Sequence, residues 1–341
     1  MGLTVAVTGP TGEIGRSAIR ALEASPDVER IVGMARRPFD PSAHGWRKTT
    51  YRQGDMLDRA AVDDLVRGAD VVLHLAFVIL EAADAHEINV EGSRNVFRAA
   101  AAAGAGRLVY ASSVAAYGFH ADNPQPLTEI VPARGTSTHP YSAQKAELEG
   151  VLRTALAGSA TQAWVVRPCI VAGPDATMLI DAIPYTRMAE RLPGAVREAL
   201  GAVPGLRPVL PDPGVPLQLV HHDDVAEALR ACVLGRGAPG IYNLAAPDAL
   251  RVSDIAGALG WHAVPVPDLA VDATAELATR LPFLPPQARW MDTFRVPVIM
   301  DVTKAKTELG WIPRHSAAET LRQTVAGHRA AVASREAAVS A

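Results

Sequence analysis

The stretch that decides the fold is LTVAVTGPTGEIG at residues 3–15, in which an apolar run leads directly into a loop with three glycines. The run LTVAVTG (3–9) has the length and composition of a buried strand. Glycines at these spacings let the backbone turn tightly, approach a pyrophosphate and pack a helix on a strand, while the helix N-terminus offers N–H donors. The order predicts a dinucleotide-binding βαβ unit. Its candidate cofactor-binding residues are Gly9, Thr11, Gly12, Glu13, Ile14 and Gly15.

Outward from this loop, apolar segments of strand length alternate with longer Ala- and Leu-rich segments of helical period. Strands are predicted at 3–9, 30–36, 50–55, 70–76, 107–113 and 163–169. Helices are predicted at 13–24, 58–67, 87–103 and 141–157. This alternation is typical of an α/β protein with a Rossmann-type, doubly wound parallel sheet, whose ligands bind at the carboxyl ends of the strands.

After residue 172 the composition changes to a Pro- and Gly-interrupted region. We predict a dinucleotide-binding domain over 1–172, to which 217–246 returns. A smaller, interleaved C-terminal substrate-binding part is predicted from 173–216 and 247–330. Residues 331–341 are Ala-rich without an apolar stripe, so we expect a frayed tail.

Composition restricts the possible partners. Of 341 residues, 33 are Lys or Arg and 36 are Asp or Glu, so the formal charge of -3 gives no basic field for nucleic acid. The apolar run at 71–80 is too short to span a membrane. Two cysteines cannot form a disulfide framework or a zinc site, and the chain shows no export signal, so we expect a cytoplasmic protein. His221, His222, Asp223 and Asp224 are adjacent, and neighbours on a strand point to opposite faces, so no metal is predicted.

The end of the second predicted strand bears on the choice of cofactor. An NAD site would place Asp or Glu there to accept hydrogen bonds from the ribose 2′-hydroxyl. This chain has Arg36 and Arg37 instead. Guanidinium groups are suited to a 2′-phosphate, so NADP is favoured, while NAD stays possible because the turn could also be merely solvated.

The segment YSAQK places Tyr141 and Lys145 four residues apart on one face of a predicted helix. An ammonium beside a phenol stabilises the phenolate, so the pattern predicts a lowered pKa for Tyr141 and a role as general acid or base. Ser113 stands at the end of the fifth predicted strand, where its hydroxyl could orient a substrate carbonyl.

Taken together, these motifs resemble the extended short-chain dehydrogenases/reductases of the NAD-dependent epimerase/dehydratase family, over nearly the whole chain. The matching segments are TGPTGEIG, GDMLD, HLA at 74–76, NVEGSRNVFRAA from Asn89, YASSVAAYG, YSAQK, RPCIVAGP, VHHDDVAEAL and ELGWIP. The resemblance implies a nicotinamide cofactor, a small-molecule substrate and a homodimer formed through the helices at 87–103 and 141–157.

The resemblance also implies roles for individual residues. Ser113, Tyr141 and Lys145 would be catalytic, with Lys145 also holding the nicotinamide ribose. Asn89 would be structural or part of a proton relay. The other implied cofactor contacts are Asp55 and Met56 at the adenine, Leu75 and Ala76 along the groove, and Pro168 and Val171 at the nicotinamide end. Candidate substrate contacts are Phe77, Val78 and Phe119, for which core packing is equally compatible.

Departures from the family pattern favour some of the family's reactions over others. Members that act on nucleotide-diphosphate sugars usually carry an Asn and an Arg where this chain has Ile170 and Leu217, and dehydratases carry an acidic pair where it has Val114 and Ala115. These departures favour an NADP-dependent reductase or dehydrogenase that acts on a small, rather apolar carbonyl or alcohol. A nucleotide-sugar 4-epimerase with retained NAD stays open as an alternative. So does a non-catalytic NADP-binding regulator, against which the intact catalytic residues argue.

Overall fold

The structure is a computed structural model that describes residues 2–79, 84–183, 207–265 and 296–340. It divides into two compact units. The first unit contains 1–169, 222–245 and 300–312, and the second contains 170–221, 246–299 and 313–341.

A seven-stranded parallel sheet forms the centre of the first unit. Its strands are β1 (Leu3–Thr8), β2 (Val28–Ala35), β3 (Thr49–Gln53), β4 (Val71–His74), β5 (Arg107–Ala111), β6 (Gln162–Pro168) and β10 (Gly240–Leu244). The strand order is β10-β6-β5-β4-β1-β2-β3. The chain winds outward from β1 in both directions, so the crevice beyond the carboxyl ends of β1 and β4 is the expected ligand position. The predicted Rossmann-type fold is confirmed.

Helices accompany this sheet, and near-continuous apolar strands are buried among them. The helices of the first unit are α1 (Glu13–Glu23), α2 (Arg59–Val66), α3 (Ala85–Ala102), α4 (Pro140–Ala155), α6 (His222–Val233) and α8 (Thr303–Glu308). Helix α1 packs against α6, and α3 packs against α4. Leu108, Val72 and Phe97 are fully buried in the apolar core that α3 and the sheet share.

The second unit has smaller sheets and its own core. Strands β7 (Ile170–Ala172), β9 (Leu217–His221) and β11 (Ala249–Leu250) form one sheet in the order β11-β9-β7, and β8 (Val209–Asp212) pairs with β12 (His262–Pro265). Its helices are α5 (Met178–Asp181), α7 (Val252–Leu259) and α9 (Ala317–Ser340). Leu219, Ala256 and Leu321 belong to its apolar core.

Several boundary predictions differ from the structure. Residues 170–172 were expected in the first domain and lie in the second unit. Residues 217–221 were expected to return to the first domain, but β9 pairs with β7 and β11, so they lie in the second unit. Residues 300–312 were expected in the substrate-binding part and lie in the first unit. Helix α9 continues to Ser340 where a frayed tail was expected from 331, in keeping with the high helix propensity of alanine. Parts of the predicted substrate-binding segments, 184–206 and 266–295, lie outside the described residues.

Among the helices that the structure describes, none is both long enough and apolar enough to cross a membrane.

Candidate active site

The glycine loop joins β1 to α1, and its three glycines serve different purposes. Gly9 has a φ of 72°, and a Cβ there would lie 2.8 Å from the Ala76 nitrogen. A Cβ on Gly15 would collide with the carbonyl oxygen of Gly9. A Cβ on Gly12 would meet nothing closer than 3.6 Å. Packing within the protein therefore requires Gly9 and Gly15, whereas the small size of Gly12 leaves space in front of α1.

This space suits the phosphates of a dinucleotide. Gly12 is exposed and precedes Glu13, the first residue of the 11-residue α1, and it has no side chain to cap the helix. Backbone N–H groups at such an N-terminus, together with the helix dipole, attract anions. Thr11, Glu13 and Ile14 are partly exposed beside it. The loop therefore fits a dinucleotide, as the sequence predicts.

The turn after β2 consists of Ala35, Arg36 and Arg37, and we call it the basic turn. Its three carbonyl oxygens are held by side chains from β3. The Tyr51 hydroxyl is 2.8 Å from the Ala35 oxygen and also contacts the Arg37 oxygen, and the Gln53 amide donates to the Arg36 oxygen at 3.0 Å. Both arginines are exposed. The backbone of the turn is thus fixed, and its guanidinium groups lie at the surface.

Aromatic rings support this arrangement from outside. The ring of Phe39 lies 5.5 Å from that of Tyr51 and 5.4 Å from that of Trp46, in tilted contacts. Such contacts restrict the Tyr51 ring, so its hydroxyl stays in reach of the basic turn. Burial raises the pKa of Tyr51, which keeps it a hydrogen-bond donor at neutral pH.

Asp55 and Met56, expected near the adenine, follow β3. The Asp55 carboxylate accepts a hydrogen bond from the Leu57 nitrogen at 3.0 Å. Met56 is buried, and the Asn95 amide donates to its carbonyl oxygen at 3.0 Å. The Met56 side chain therefore belongs to the core beside α3, while Asp55 is partly exposed.

The segment after β4 runs beside the glycine loop. The Leu75 nitrogen donates to the Thr8 oxygen at 3.2 Å, which places Leu75 and Ala76 next to the end of β1. Asn89 on α3 holds Val78 by both backbone groups, with the Val78 nitrogen 2.7 Å and the Val78 oxygen 2.9 Å away. Its amide also donates to Gln144 at 2.8 Å. Asn89 was predicted to be structural or part of a proton relay, and these contacts are structural.

The three predicted catalytic residues come from two neighbouring elements. Ser113 follows β5 and caps a 3₁₀ helix at Val114–Tyr117. Tyr141 and Lys145 lie on α4, which begins at Pro140 and is capped by the His139 side chain. The Ser113 side chain lies close enough to Tyr141 to lower the pKa of its phenol. The ammonium nitrogen of Lys145 is 5.9 Å from the Tyr141 ring centroid. The structure therefore brings the three side chains together.

The predicted lowering of the Tyr141 pKa is wrong for this structure. Burial raises the pKa of the phenol, and the nearby Ser113 side chain offsets only part of that effect. Burial also lowers the pKa of Lys145 to about 7, although the nearby Glu149 carboxylate acts in the opposite direction. Lys145 donates to the carbonyl oxygen of Ala111 at 2.9 Å. The Tyr141 phenol is therefore protonated at neutral pH, and the Lys145 amine titrates near neutral pH.

Aromatic rings surround this centre. Phe77 stands edge-on to Tyr141, with ring centroids 5.4 Å apart, and its face lies 4.1 Å from the Lys145 nitrogen. Phe119 contacts the ring of His139 at 5.3 Å, and His139 lies 6.4 Å from Tyr141. Phe77 therefore contacts the catalytic pair directly, whereas Phe119 reaches it only through His139. Val78 is held by Asn89.

The last two predicted cofactor contacts lie in different units. Pro168 is the buried last residue of β6 in the first unit. Val171 is on β7 in the second unit. Contact of either residue with the nicotinamide stays a prediction.

A buried polar group behind Lys145 was missed by the sequence analysis. The Glu149 carboxylate accepts hydrogen bonds from Ser112 at 2.6 Å and from the Nε of Arg167 at 2.9 Å, and a second Arg167 nitrogen lies 2.5 Å from its other oxygen. The exposed fractions of the Arg167 and Glu149 side chains are 1% and 8%. The spacing of Lys145 and Glu149 could have indicated a shared helix face, but nothing in the sequence pairs Glu149 with Arg167.

His74 is a second missed group. Its two ring nitrogens lie 2.6 Å from the Thr8 hydroxyl and 2.8 Å from the Ser93 hydroxyl, which links β1, β4 and α3. Burial, together with the charge of Lys145, lowers the pKa of His74 to about 3. The ring is therefore neutral throughout the physiological range.

Comparison with known proteins agrees with this geometry. The model of the NAD dependent epimerase/dehydratase family matches residues 5–245. A UDP-glucose 4-epimerase of Azospirillum brasilense is 28% identical over 335 residues, covering 91% of this chain and 87% of that protein. A ceramide reductase of Caulobacter vibrioides is 34% identical over 179 residues, covering 51% of this chain and 48% of that protein.

The chain is shorter than some relatives. An uncharacterised protein of Mycobacterium bovis is 28% identical over 94% of this chain, which spans 29% of that protein's length. Among solved structures, a double mutant of DesIV, a dTDP-glucose 4,6-dehydratase from Streptomyces venezuelae with NAD bound, gives a TM-score of 0.72. The match covers 96% of each chain at 23% identity. This likeness shows a shared fold.

Proposed function

Because the chain belongs to the NAD-dependent epimerase/dehydratase family, which is a family of enzymes, we propose that it is an NADP-dependent reductase or dehydrogenase acting on a small, rather apolar carbonyl or alcohol. The observation that carries the proposal is that the side chains of Ser113, Tyr141 and Lys145 lie together, on the same side of the sheet as the glycine loop. A bound nicotinamide cofactor would supply the hydride.

The chain's own residues position and polarise the substrate. The Ser113 hydroxyl, which lies close to Tyr141, orients the carbonyl oxygen. Tyr141 donates the proton that this oxygen needs as the carbonyl becomes an alcohol. Lys145 would hold the ribose of a bound nicotinamide cofactor, and its positive charge would stabilise the phenolate left after proton transfer. The raised pKa of Tyr141 keeps the phenol protonated, which is the form that donates a proton during reduction.

Preference for NADP over NAD follows from the basic turn. Its arginines offer planar, charged donors for a 2′-phosphate, and its backbone is held by Tyr51 and Gln53. An NAD site would be expected to offer a carboxylate at this place, and Ala35, Arg36 and Arg37 carry none. The Gly12 backbone and the N-terminus of α1 would hold the pyrophosphate.

Apolar rings suggest the character of the substrate. Phe77 lies against both Tyr141 and Lys145, so a substrate that reaches the phenol would meet its ring. Contacts of Val78 and Phe119 with substrate are part of the same proposal. A compact, apolar carbonyl suits such a lining better than a charged sugar nucleotide.

The test is NADPH consumption followed with a panel of small apolar aldehydes and ketones. We expect turnover with some members of the panel and its loss in Tyr141→Phe. Turnover that Tyr141→Phe leaves unchanged would contradict the assignment of the proton donor. A regulator without catalytic activity would show no consumption with any member.

The alternative is a nucleotide-sugar 4-epimerase with retained NAD. It is favoured by the likeness to the Azospirillum enzyme over 91% of this chain. Against it stand Ile170 and Leu217, where family members that bind nucleotide-diphosphate sugars usually carry Asn and Arg. Epimerisation of a UDP-sugar without added cofactor would establish it.

We also propose a homodimer formed through α3 and α4, which pack against each other in the first unit. Light scattering at micromolar concentration should give twice the 35.9 kDa of one chain. The mass of a single chain would contradict the proposal.

A further inference from the structure

Three consecutive residues at the end of β5 serve three different side chains of α4. The Ala111 carbonyl accepts from Lys145, the Ser112 hydroxyl donates to Glu149, and the Ser113 side chain lies close enough to Tyr141 to affect its pKa. Lys145 and Glu149 are one helical turn apart, and both are buried. The same strand end thus fixes the catalytic residues and an acidic residue that the proposed chemistry does not use.

A buried carboxylate without compensation would be costly, but Glu149 is well paired. Arg167 of β6 binds it through two nitrogens, and the guanidinium stacks 4.2 Å from the ring centroid of Tyr117. With Ser112, this gives the carboxylate three donors. Such a network holds the carboxylate in one position.

We propose that Glu149 is a positioning residue that keeps Lys145 in its protonated form, and that Ser112 and Arg167 hold its carboxylate for this purpose. The inference rests on the proposed catalytic role of Lys145. Glu149 does not touch the reacting atoms. Its effect is electrostatic and acts through the ammonium group.

The surroundings of Lys145 show why such a residue is needed. The ammonium lies against the rings of Phe77 at 4.1 Å and Tyr110 at 5.2 Å, and it is removed from water. Burial favours the neutral amine, and the Glu149 charge opposes this effect. The ionisable groups around the pair are His74 of β4, Tyr110 of β5, Tyr141 of α4, and Arg167 and Tyr117 against Glu149.

The experiment is Glu149→Gln, which preserves size and one acceptor oxygen but removes the charge. At saturating NADPH, kcat/KM for carbonyl reduction should decline on the alkaline side as Lys145 loses its proton. We expect this decline to move to lower pH by about one unit or more in the variant. Glu147→Gln is the matched control, because Glu147 lies on the same helix, is 42% exposed and pairs with His86. It should leave the profile unchanged.

A second readout does not depend on turnover. The lowered pKa of Lys145 means that the free energy of unfolding rises with pH above about 7, toward the higher pKa of the unfolded chain. In Glu149→Gln this rise should begin at lower pH. In a Lys145→Met background, the Glu149→Gln exchange should leave the pH dependence in this window unchanged.

Since Glu149→Gln leaves Arg167 without its partner, the double variant Glu149→Gln/Arg167→Gln provides a form without an unpaired Arg167 charge. It should show the same downward shift in both readouts. Unchanged pH positions, with only stability or kcat reduced, would overturn the inference. A wild-type protein that turns over no NADPH would refute the proposed function, while the unfolding measurement would still decide the role of Glu149.

Discussion

The carboxyl ends of β5 and β2 are built in opposite ways. After β5, Ser112 and Ser113 are buried, and the Ser112 hydroxyl is hydrogen-bonded to the side chain of Glu149. After β2, the side chains of Arg36 and Arg37 are exposed, and only their backbone is held, by residues of β3. A buried charge is costly unless it is paired and hydrogen-bonded, so loss of one partner from such a group is expected to be strongly unfavourable. Under the proposed function, the chemistry would be fixed in the interior, whereas cofactor choice would depend on a surface turn.

The largest effect is expected at the buried end. Tyr141→Phe should lower kcat for reduction about 100- to 10,000-fold, because it removes the proposed general acid. Binding of NADPH, followed by fluorescence, should remain. Steady-state kinetics measures the loss.

The matched control is Tyr110→Phe. Tyr110 is buried, lies 5.2 Å from the Lys145 nitrogen, and its hydroxyl has no hydrogen-bond partner among the residues described. Removing that hydroxyl should leave kcat unchanged. Equal losses in the two variants would show that the defect comes from disturbed packing and not from a missing acid.

The second prediction concerns the buried imidazole of His74. Its pKa of about 3 in the folded protein lies below that of about 6.5 in the unfolded chain, so stability is full above pH 6.5 and falls as the pH drops toward 3. The loss attributable to His74 between pH 7 and pH 3 is on the order of 4 kcal/mol. Urea titrations across this range should show a weaker pH dependence for His74→Gln.

His86→Gln is the control for this effect. His86 is 63% exposed on α3 and pairs with Glu147 at the surface. It should leave the acid dependence unaltered. A wild-type protein as stable at pH 4 as at pH 7 would be incompatible with a buried neutral His74.

At the exposed end, Arg36→Ala/Arg37→Ala should weaken NADPH binding about 10- to 100-fold and leave NADH binding unaltered. Each lost charged hydrogen bond to the 2′-phosphate accounts for part of this change. Fluorescence titration with both cofactors gives the ratio. Arg47→Ala, at another exposed arginine before β3, controls for the general loss of positive charge. A parallel weakening of both cofactors would argue against a 2′-phosphate site.

The smallest effect is expected from Tyr51→Phe, which removes the hydroxyl that holds two carbonyl groups of the basic turn. We expect NADPH binding to weaken roughly threefold, with no change for NADH. Thr50→Ala is the control, because Thr50 donates to the Ile31 carbonyl at 3.3 Å, away from the turn. If both variants behave alike, the hydroxyl does not position the arginines.

The glycine loop and the sheet could be predicted because their signals are local. Strand length, glycine spacing and helical period are readable in single segments, and the observed element ends differ from the predicted ones by one to a few residues. The strand at 217–221 could also be predicted as a strand. Its sheet could not, because pairing with β7 and β11 is a tertiary choice that an apolar run does not encode.

The same limit applies to the site. Tyr141 and Lys145 share a helix face, and Ser113 ends a strand, so the sequence brings them together by spacing. The burial of a side chain cannot be predicted from residue spacing. For this reason the pKa of Tyr141 was expected to be lowered, whereas burial raises it. The pairing of Glu149 with Arg167 depends on how α4 lies against β6, and no local pattern specifies it.

Cofactor identity tests the proposal of an NADP-dependent reductase most directly. The purified protein is denatured and any released dinucleotide identified, and native protein is then titrated with NADPH and NADH by fluorescence. We predict reversible binding, tight for NADPH and weak for NADH. Stoichiometric NAD that does not exchange would contradict the proposal and support a nucleotide-sugar epimerase.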